Sequence, residues 1–174
     1  MKSRGFTIVE ILGVVAVIAI LSGVIIGGMS AAKEKSRDAE RYADLESVRL
    51  ALRLYKETFG EYPPTGGNND WQTVCTNGSV VGGPYTTSGS SGYIPDLAPD
   101  YILELPTDPS GCEDVGTYNG YIYTSDGSDY KLVTDGSAER GDLCKLNEKY
   151  ADPNRTTSSV YTYCAIYTPG AATW

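Results

Sequence analysis

The chain has 174 residues, enough for one domain with an appended segment. Its formal net charge of −8 disfavours a protein that binds nucleic-acid phosphates through a basic patch, so we expect no dedicated nucleic-acid site. Histidine is absent, which removes the commonest general base and the commonest zinc ligand. GxSxG and HExxH motifs are absent as well, and we therefore expect neither an enzyme nor a cofactor.

A short basic leader precedes a long apolar segment at the start of the chain. Lys2 and Arg4 are the charged residues of the leader, 1–5, and Glu10 is the only charge from Phe6 to Ala32. This segment is longer than the roughly 20 residues that a helix needs to cross a bilayer. The basic leader favours a cytoplasmic N-terminus, so we expect a single span with the C-terminal domain outside. A carboxylate within an apolar span is costly, which makes Glu10 a functional candidate.

Taken together, the leader that ends in Gly5 and the following Phe6-Thr7-Ile8-Val9-Glu10 resemble the class III signal of type IV pilins and type II secretion pseudopilins. The resemblance implies that a prepilin peptidase cuts after Gly5 and methylates the new amine of Phe6. It also implies that Glu10 pairs with the Phe6 amine of a neighbouring subunit in a filament. The alternatives are a secretory signal peptide cleaved after Ala32 and a plain membrane anchor.

Glycines replace the proline that many pilins have partway along this segment. Gly23, Gly27 and Gly28 each cost a helix interior about 1 kcal/mol relative to alanine. We predict local melting or kinking between Gly23 and Gly28. The alternative is that these small residues allow close packing of helices.

Residues 33–60 are predicted to form an amphipathic continuation of the same helix. Apolar residues recur there at spacings of three and four, typical of one helix face: Leu45, Val48, Leu52, Tyr55 and Phe59. The charged residues, Arg41 among them, are expected to lie largely off that face. Gly60 is the predicted C-cap, and the helix end through Gly60-Glu61-Tyr62-Pro63 also resembles that of pilins and major pseudopilins.

A small antiparallel sheet is predicted in the globular domain, 61–174. Residues 64–92 are expected to form an irregular loop, because they are rich in Gly, Ser, Thr and Asn. Strands are predicted at 120–124 and 129–134, around an Asp-Gly turn, and at 160–167. The expected fold is α+β: a long N-terminal helix, transmembrane in its first half, packed on three or four strands as in pilins.

Four cysteines lie beyond the apolar segment, at Cys75, Cys112, Cys144 and Cys164. An even count without a CxxC pair, in a domain expected to be exported, predicts two disulfides. Three connectivities are possible, and we prefer Cys75–Cys112 with Cys144–Cys164 because each closes a local stretch. Free thiols in a reducing compartment are the alternative.

Calcium is a further implication of the resemblance, because major pseudopilins commonly hold it in an acidic C-terminal loop. The candidate ligands are Asp126, Asp129, Asp135 and Asp142. Their spacing matches no such loop, and Asp-Gly turns form without a metal. We therefore predict no metal site and keep these four residues only as candidates.

The function that we predict from the sequence is that of a type IV pilin, which assembles as a homo-oligomeric helical filament. The alternatives are a pseudopilin of a type II secretion or DNA-uptake system, and a minor adhesin at a filament tip. The expected partners are other pilins, the prepilin peptidase and an inner-membrane assembly platform. The precursor would lie in the membrane, and the product would be an extracellular filament or a periplasmic pseudopilus.

Overall fold

The structure, a computed structural model, describes residues 7–67, 70–75, 85–112, 120–145, 148–155 and 162–174, without the side chains of 24–28. The leader and Phe6 lie outside these residues. Two compact units divide the chain, Met1–Ser36 and Arg37–Trp174. We call the second unit the head. The predicted domain boundaries, 1–5, 6–32, 33–60 and 61–174, stay predictions.

One α-helix, α1, extends from Ile8 to Phe59. No proline interrupts it, and it ends where Gly60 adopts a φ of +81° and donates its N–H to the carbonyl of Lys56 at 2.8 Å. Only glycine adopts this conformation at little cost, so the predicted C-cap is confirmed. The helix continues through Gly23 to Gly28, and melting or kinking there stays a prediction.

The first unit consists, in its described part, of the N-terminal stretch of α1 and the residue that precedes it. Within the residues that the structure describes, no helix meets the length and apolarity needed to cross a membrane.

The head contains a three-stranded antiparallel sheet, β1 (Tyr121–Ser125), β2 (Tyr130–Thr134) and β3 (Cys164–Tyr167), in the order β1-β2-β3. A 3₁₀ turn, Pro169–Ala171, follows β3. The β1–β2 hairpin is confirmed, and its turn includes Gly127 at a φ of +90°. Both strands begin one residue later than predicted. The third strand is shorter than predicted, because 162–163 are not extended into the sheet and 160–161 lie outside the described residues.

Both faces of the sheet are covered. One face packs on α1, where Leu45, Val48 and Leu52 are buried against the sheet residues Tyr123 and Leu132. The opposite face forms a second cluster, whose members are Trp71, Ile122, Val133, Ala165 and, partly buried, Tyr163 and Trp174. The predicted α+β fold is confirmed, but we did not predict the second layer.

Candidate functional site

Glu10 lies in a capping box at the start of α1. Its Oε2 accepts hydrogen bonds from the backbone N–H of Thr7 at 2.8 Å and from the Thr7 hydroxyl at 2.7 Å. In return, the N–H of Glu10 donates to Thr7 Oγ1 at 3.3 Å. This reciprocal pattern, Thr-x-x-Glu, supplies partners to N–H groups that the first turn leaves unpaired. Glu10 therefore has a local structural role in the isolated chain, beside any role between subunits.

Apolar side chains project into solvent from the helix around Glu10. Ile8 is 80% exposed and Val9 77%, and every large apolar side chain from Ile11 to Leu21 is at least half exposed. A soluble monomer rarely exposes a contiguous apolar surface of this kind, because its removal from water is favourable. This part of α1 can therefore gain much of its stability by burial against another apolar surface.

Arg41 joins α1 to the loop that precedes the sheet. Its guanidinium is buried and binds both carboxylate oxygens of Asp108, with Nε and Nη2 each 2.8 Å from an oxygen. Nη1 donates to Asp38 at 2.8 Å, and Nη2 also donates to Ser110 Oγ at 2.7 Å. Burial disfavours the charge, but the two carboxylates outweigh this effect and raise the Arg41 pKa. The expectation that Arg41 lies off the buried face was wrong.

Asp38 extends this ion-pair network to the connection between β2 and β3. Its carboxylate accepts the backbone N–H groups of Glu139, Arg140 and Gly141 at 2.8–3.0 Å. The preceding residue, Arg37, binds both carboxylate oxygens of Glu139, at 2.5 and 2.6 Å. The helix is thereby fixed to two loops by charge-assisted hydrogen bonds, the strong kind.

Lys131 is buried on the face of the sheet that points away from α1. Its Nζ donates to Asp152 Oδ1 at 2.8 Å, to the backbone oxygen of Trp174 at 2.8 Å and to that of Ala172 at 3.3 Å. Burial lowers the Lys131 pKa from its ordinary value, and the hydrogen bond to Asp152 acts in the opposite direction.

The preferred disulfide connectivity is confirmed: the bonds are Cys75–Cys112 and Cys144–Cys164. The first bond links two loops that precede the sheet in the sequence. The second fixes the β2–β3 connection to the first residue of β3.

The four aspartates considered for calcium do not form one site. Asp126 accepts the N–H groups of Ser128 and Asp129 in the hairpin turn, and Asp142 pairs with Lys145 at 3.0 Å. Asp135 follows β2, and burial raises its pKa to about 6. Among the described residues, no three side chains of the types His, Cys, Asp and Glu lie close enough to hold a metal. These residues therefore do not fit the calcium that the resemblance implies.

Two features of this arrangement were missed at the sequence level although the sequence contained a sign of them. Thr7-Ile8-Val9-Glu10 is a capping-box pattern as written. Arg41 precedes Leu45 by four positions and so continues the buried spacing. The burial of Lys131 had no such sign, because its partners come from loops far along the chain.

Comparison with known proteins identifies the family. A type II secretion system core protein G of Escherichia coli (strain K12) is 28% identical over 148 residues, covering 83% of this chain and 94% of the relative. The protein of the same name from Vibrio cholerae serotype O1 is 30% identical over 127 residues, 72% of this chain and 73% of the relative. The chain belongs to the family of type II secretion system core protein G.

A third core protein G, from Pectobacterium carotovorum, is 26% identical over 147 residues, 83% of this chain and 76% of the relative. No family model matches the chain, and no solved structure does. The names of these core G relatives favour the secretion-system alternative over the type IV pilin that we predicted from the sequence.

Proposed function

We propose that the chain is a structural, non-enzymatic subunit of a type II secretion pseudopilus, and that it polymerises through the N-terminal part of α1. The relatives named core protein G support the secretion system. The single observation that carries assembly through the helix is its unpartnered apolar surface, with one acid, Glu10, in its first turn. Burying this surface against other copies would provide the driving force for polymerisation.

Glu10 would set the register of these contacts. Cleavage after Gly5 would leave a positively charged amine on Phe6, and both residues lie outside the described part of the chain. On assembly, Glu10 would exchange its hydrogen bonds with Thr7 for the Phe6 amine of a neighbouring copy. An unpaired charge in apolar surroundings is costly. The favoured alignment of two neighbouring helices would therefore be the one that places the Glu10 carboxylate next to the Phe6 amine.

The location and the partners belong to the same proposal. The basic leader and the apolar segment 6–32 support a precursor held in the inner membrane with its head outside the cytoplasm. A prepilin peptidase would process it, and an inner-membrane assembly platform would add it to the filament with other pseudopilins. Carbonate extraction of membranes, combined with protease access to the head, tests this placement.

The test of Glu10 distinguishes the effect of its negative charge from the effect of its hydrogen bonds in the capping box. Glu10→Gln retains the capping box, since glutamine serves there as well as glutamate, but it cannot neutralise an amine. We expect Glu10→Gln and Glu10→Ala to leave cleavage after Gly5 intact and to abolish filaments. Glu34→Gln is the matched control: this acid lies on the same helix, hydrogen-bonded to Ser30 at 3.2 Å, and its loss should leave filaments unchanged.

Mass spectrometry of the N-terminal peptide and electron microscopy of sheared filaments are the two measurements. Normal filaments from Glu10→Gln would show that the charge is not needed and would refute the pairing. Thr7→Val gives the complementary result: it removes the cap, at a cost of about 1 kcal/mol to the helix end, but retains the charge. Filaments should therefore survive Thr7→Val.

Deletion of the gene distinguishes the secretion system from a pilus. Loss of extracellular enzymes from the culture medium, with surface pili unchanged, supports the pseudopilus. Loss of surface pili with normal secretion would favour the type IV pilin instead.

A further inference from the structure

The Lys131 ammonium donates hydrogen bonds to a group of oxygens that come from two separate segments of the head. Its three ammonium protons have three acceptors: Asp152 Oδ1 and the backbone oxygens of Ala172 and Trp174. An ammonium group has three donors and no acceptor, so its full capacity is used. The side chains of Lys131 and Asp152 are both completely buried.

The same oxygens also bind the loop that contains Asp152. Asp152 Oδ1 accepts the backbone N–H of Asn154 at 2.8 Å and of Arg155 at 3.2 Å. The backbone oxygen of Trp174 accepts the Asn154 side-chain amide at 2.9 Å and Arg155 Nη1 at 3.3 Å. Lys131 therefore lies at the point where the sheet, the loop 152–155 and the segment 169–174 meet.

The Lys131 ammonium has the structural role that a bound metal ion has in other proteins. A positive charge binds hard oxygen atoms, a carboxylate and backbone oxygens, from two segments outside the sheet. A divalent cation at the same oxygens would meet two positive side chains, because Lys131 and Arg155 both bind Asp152 and Trp174. Calcium also typically requires six to eight oxygens, and in the described part of the chain no three acidic side chains lie close enough together to hold it.

We propose that the Lys131 ammonium is the structural cation of the head, which fixes segment 169–174 to the sheet so that this segment docks without a divalent metal. Of the four sequence candidates for calcium, Asp126 is bound within the hairpin turn and Asp142 by Lys145. The other two lie nearer to this group, Asp129 against Gly170 and Asp135 close to Asp152 and Arg155, but the described part of the chain brings no three such acids together. The proposal concerns the fold of the head and is independent of whether, and how, the chain assembles into filaments.

The two tryptophans of the chain provide the measurement. Trp174 belongs to the docked segment and packs in the cluster that contains Trp71. In a Trp71→Phe background, the fluorescence of the full-length chain in detergent micelles comes from Trp174 alone. Quenching by acrylamide then reports whether segment 169–174 is docked.

We expect Lys131→Met to lose most of the protection of Trp174, with a quenching constant close to that of the urea-unfolded chain. With Lys131 present, neither EDTA nor added calcium should change the quenching constant. Lys145→Met is the matched control, since Lys145 is 60% exposed and pairs with the exposed Asp142, and it should leave quenching unchanged.

Two results would overturn the proposal. If EDTA exposes Trp174 while Lys131 is intact, a metal ion holds the segment. If Lys131→Met leaves Trp174 protected, the ammonium does not.

Should Lys131→Met fail to fold, Asp152→Asn provides the second test, because it keeps an acceptor of the same shape and removes the charge. We expect it to expose Trp174 and to make Lys131 reactive towards an amine-acylating reagent, as mapped by mass spectrometry. Lys131 should be unreactive in the folded parent, whereas Lys145 should react in both. An unreactive Lys131 together with a protected Trp174 in Asp152→Asn would also refute the proposal.

Discussion

Replacing Arg41 by methionine retains most of the apolar stem of the side chain and removes the guanidinium. The buried carboxylate of Asp108, whose side chain is completely inaccessible, then loses both of its hydrogen bonds to Arg41. It keeps the backbone N–H of Ser110 at 2.9 Å. Asp38 is less affected, because three backbone N–H groups still bind it. The cost therefore falls mainly on Asp108.

Breaking a buried ion pair from one side costs about 3–5 kcal/mol, because an uncompensated charge is left behind. We expect Arg41→Met to lower the free energy of unfolding by that amount at neutral pH. Arg49→Met is the control, since Arg49 pairs with Glu46 at the surface and its loss should cost less than about 1 kcal/mol. The assay is urea unfolding of the full-length chain in micelles, followed by tryptophan fluorescence.

The pH dependence provides an independent check. Burial raises the Asp108 pKa, but the hydrogen bonds and charge of Arg41 outweigh burial, so the pKa lies below its ordinary value. The parent therefore has this stabilisation above the unfolded pKa of about 4 and loses it as the pH falls through the folded pKa. In Arg41→Met, protonation of Asp108 relieves the cost, so the difference between variant and parent should shrink in acid. A loss no larger than that of Arg49→Met, or one independent of pH, would refute this reasoning.

Two further predictions concern the disulfide near β3 and the exposed face of α1. Cys144 and Cys164 are 20 positions apart, so replacing both with serine should cost about 3 kcal/mol on the chain-entropy treatment. The comparison of urea midpoints for the parent and the double variant measures this loss, and equal midpoints would contradict it. Leu50 is 60% exposed on α1 and Leu52 is completely buried. Leu50→Ala should change stability by less than about 0.5 kcal/mol, whereas Leu52→Ala should cost about 2–5 kcal/mol. Urea unfolding measures both losses, and equal losses for the two variants would contradict this difference in burial.

Local patterns predicted the elements that depend on neighbouring residues. The spacing of Leu45, Val48 and Leu52 predicted the buried face of α1, and Gly60 predicted its end. The Asp-Gly turn predicted the β1–β2 hairpin, because its backbone conformation is set within the turn itself. The disulfides followed the same logic, since the preferred pairs were those that close short loops.

The sequence did not predict features whose partners are distant. Side chains alternate between the two faces of a strand, so the sequence alone would place a lysine between Tyr130 and Leu132 on the solvent side. Lys131 is buried since the segment that ends in Trp174 returns across that face. Arg41 is buried for the same kind of reason, through Asp108. Burial of a charge depends on its partner, and local periodicity does not reveal a partner many residues away.

The bonds between Asp38 and the β2–β3 connection also have a consequence for the timing of folding. They join residues 101 to 103 positions apart. Contacts of such long range form slowly, because the intervening chain must first be brought into a closed loop. In a chain that emerges N-terminus first, Asp38 is available long before residues 139–141 can bind it. This part of the helix therefore stays without its loop partners until the last third of the head is made, and a head truncated before residue 139 would lack this anchor altogether.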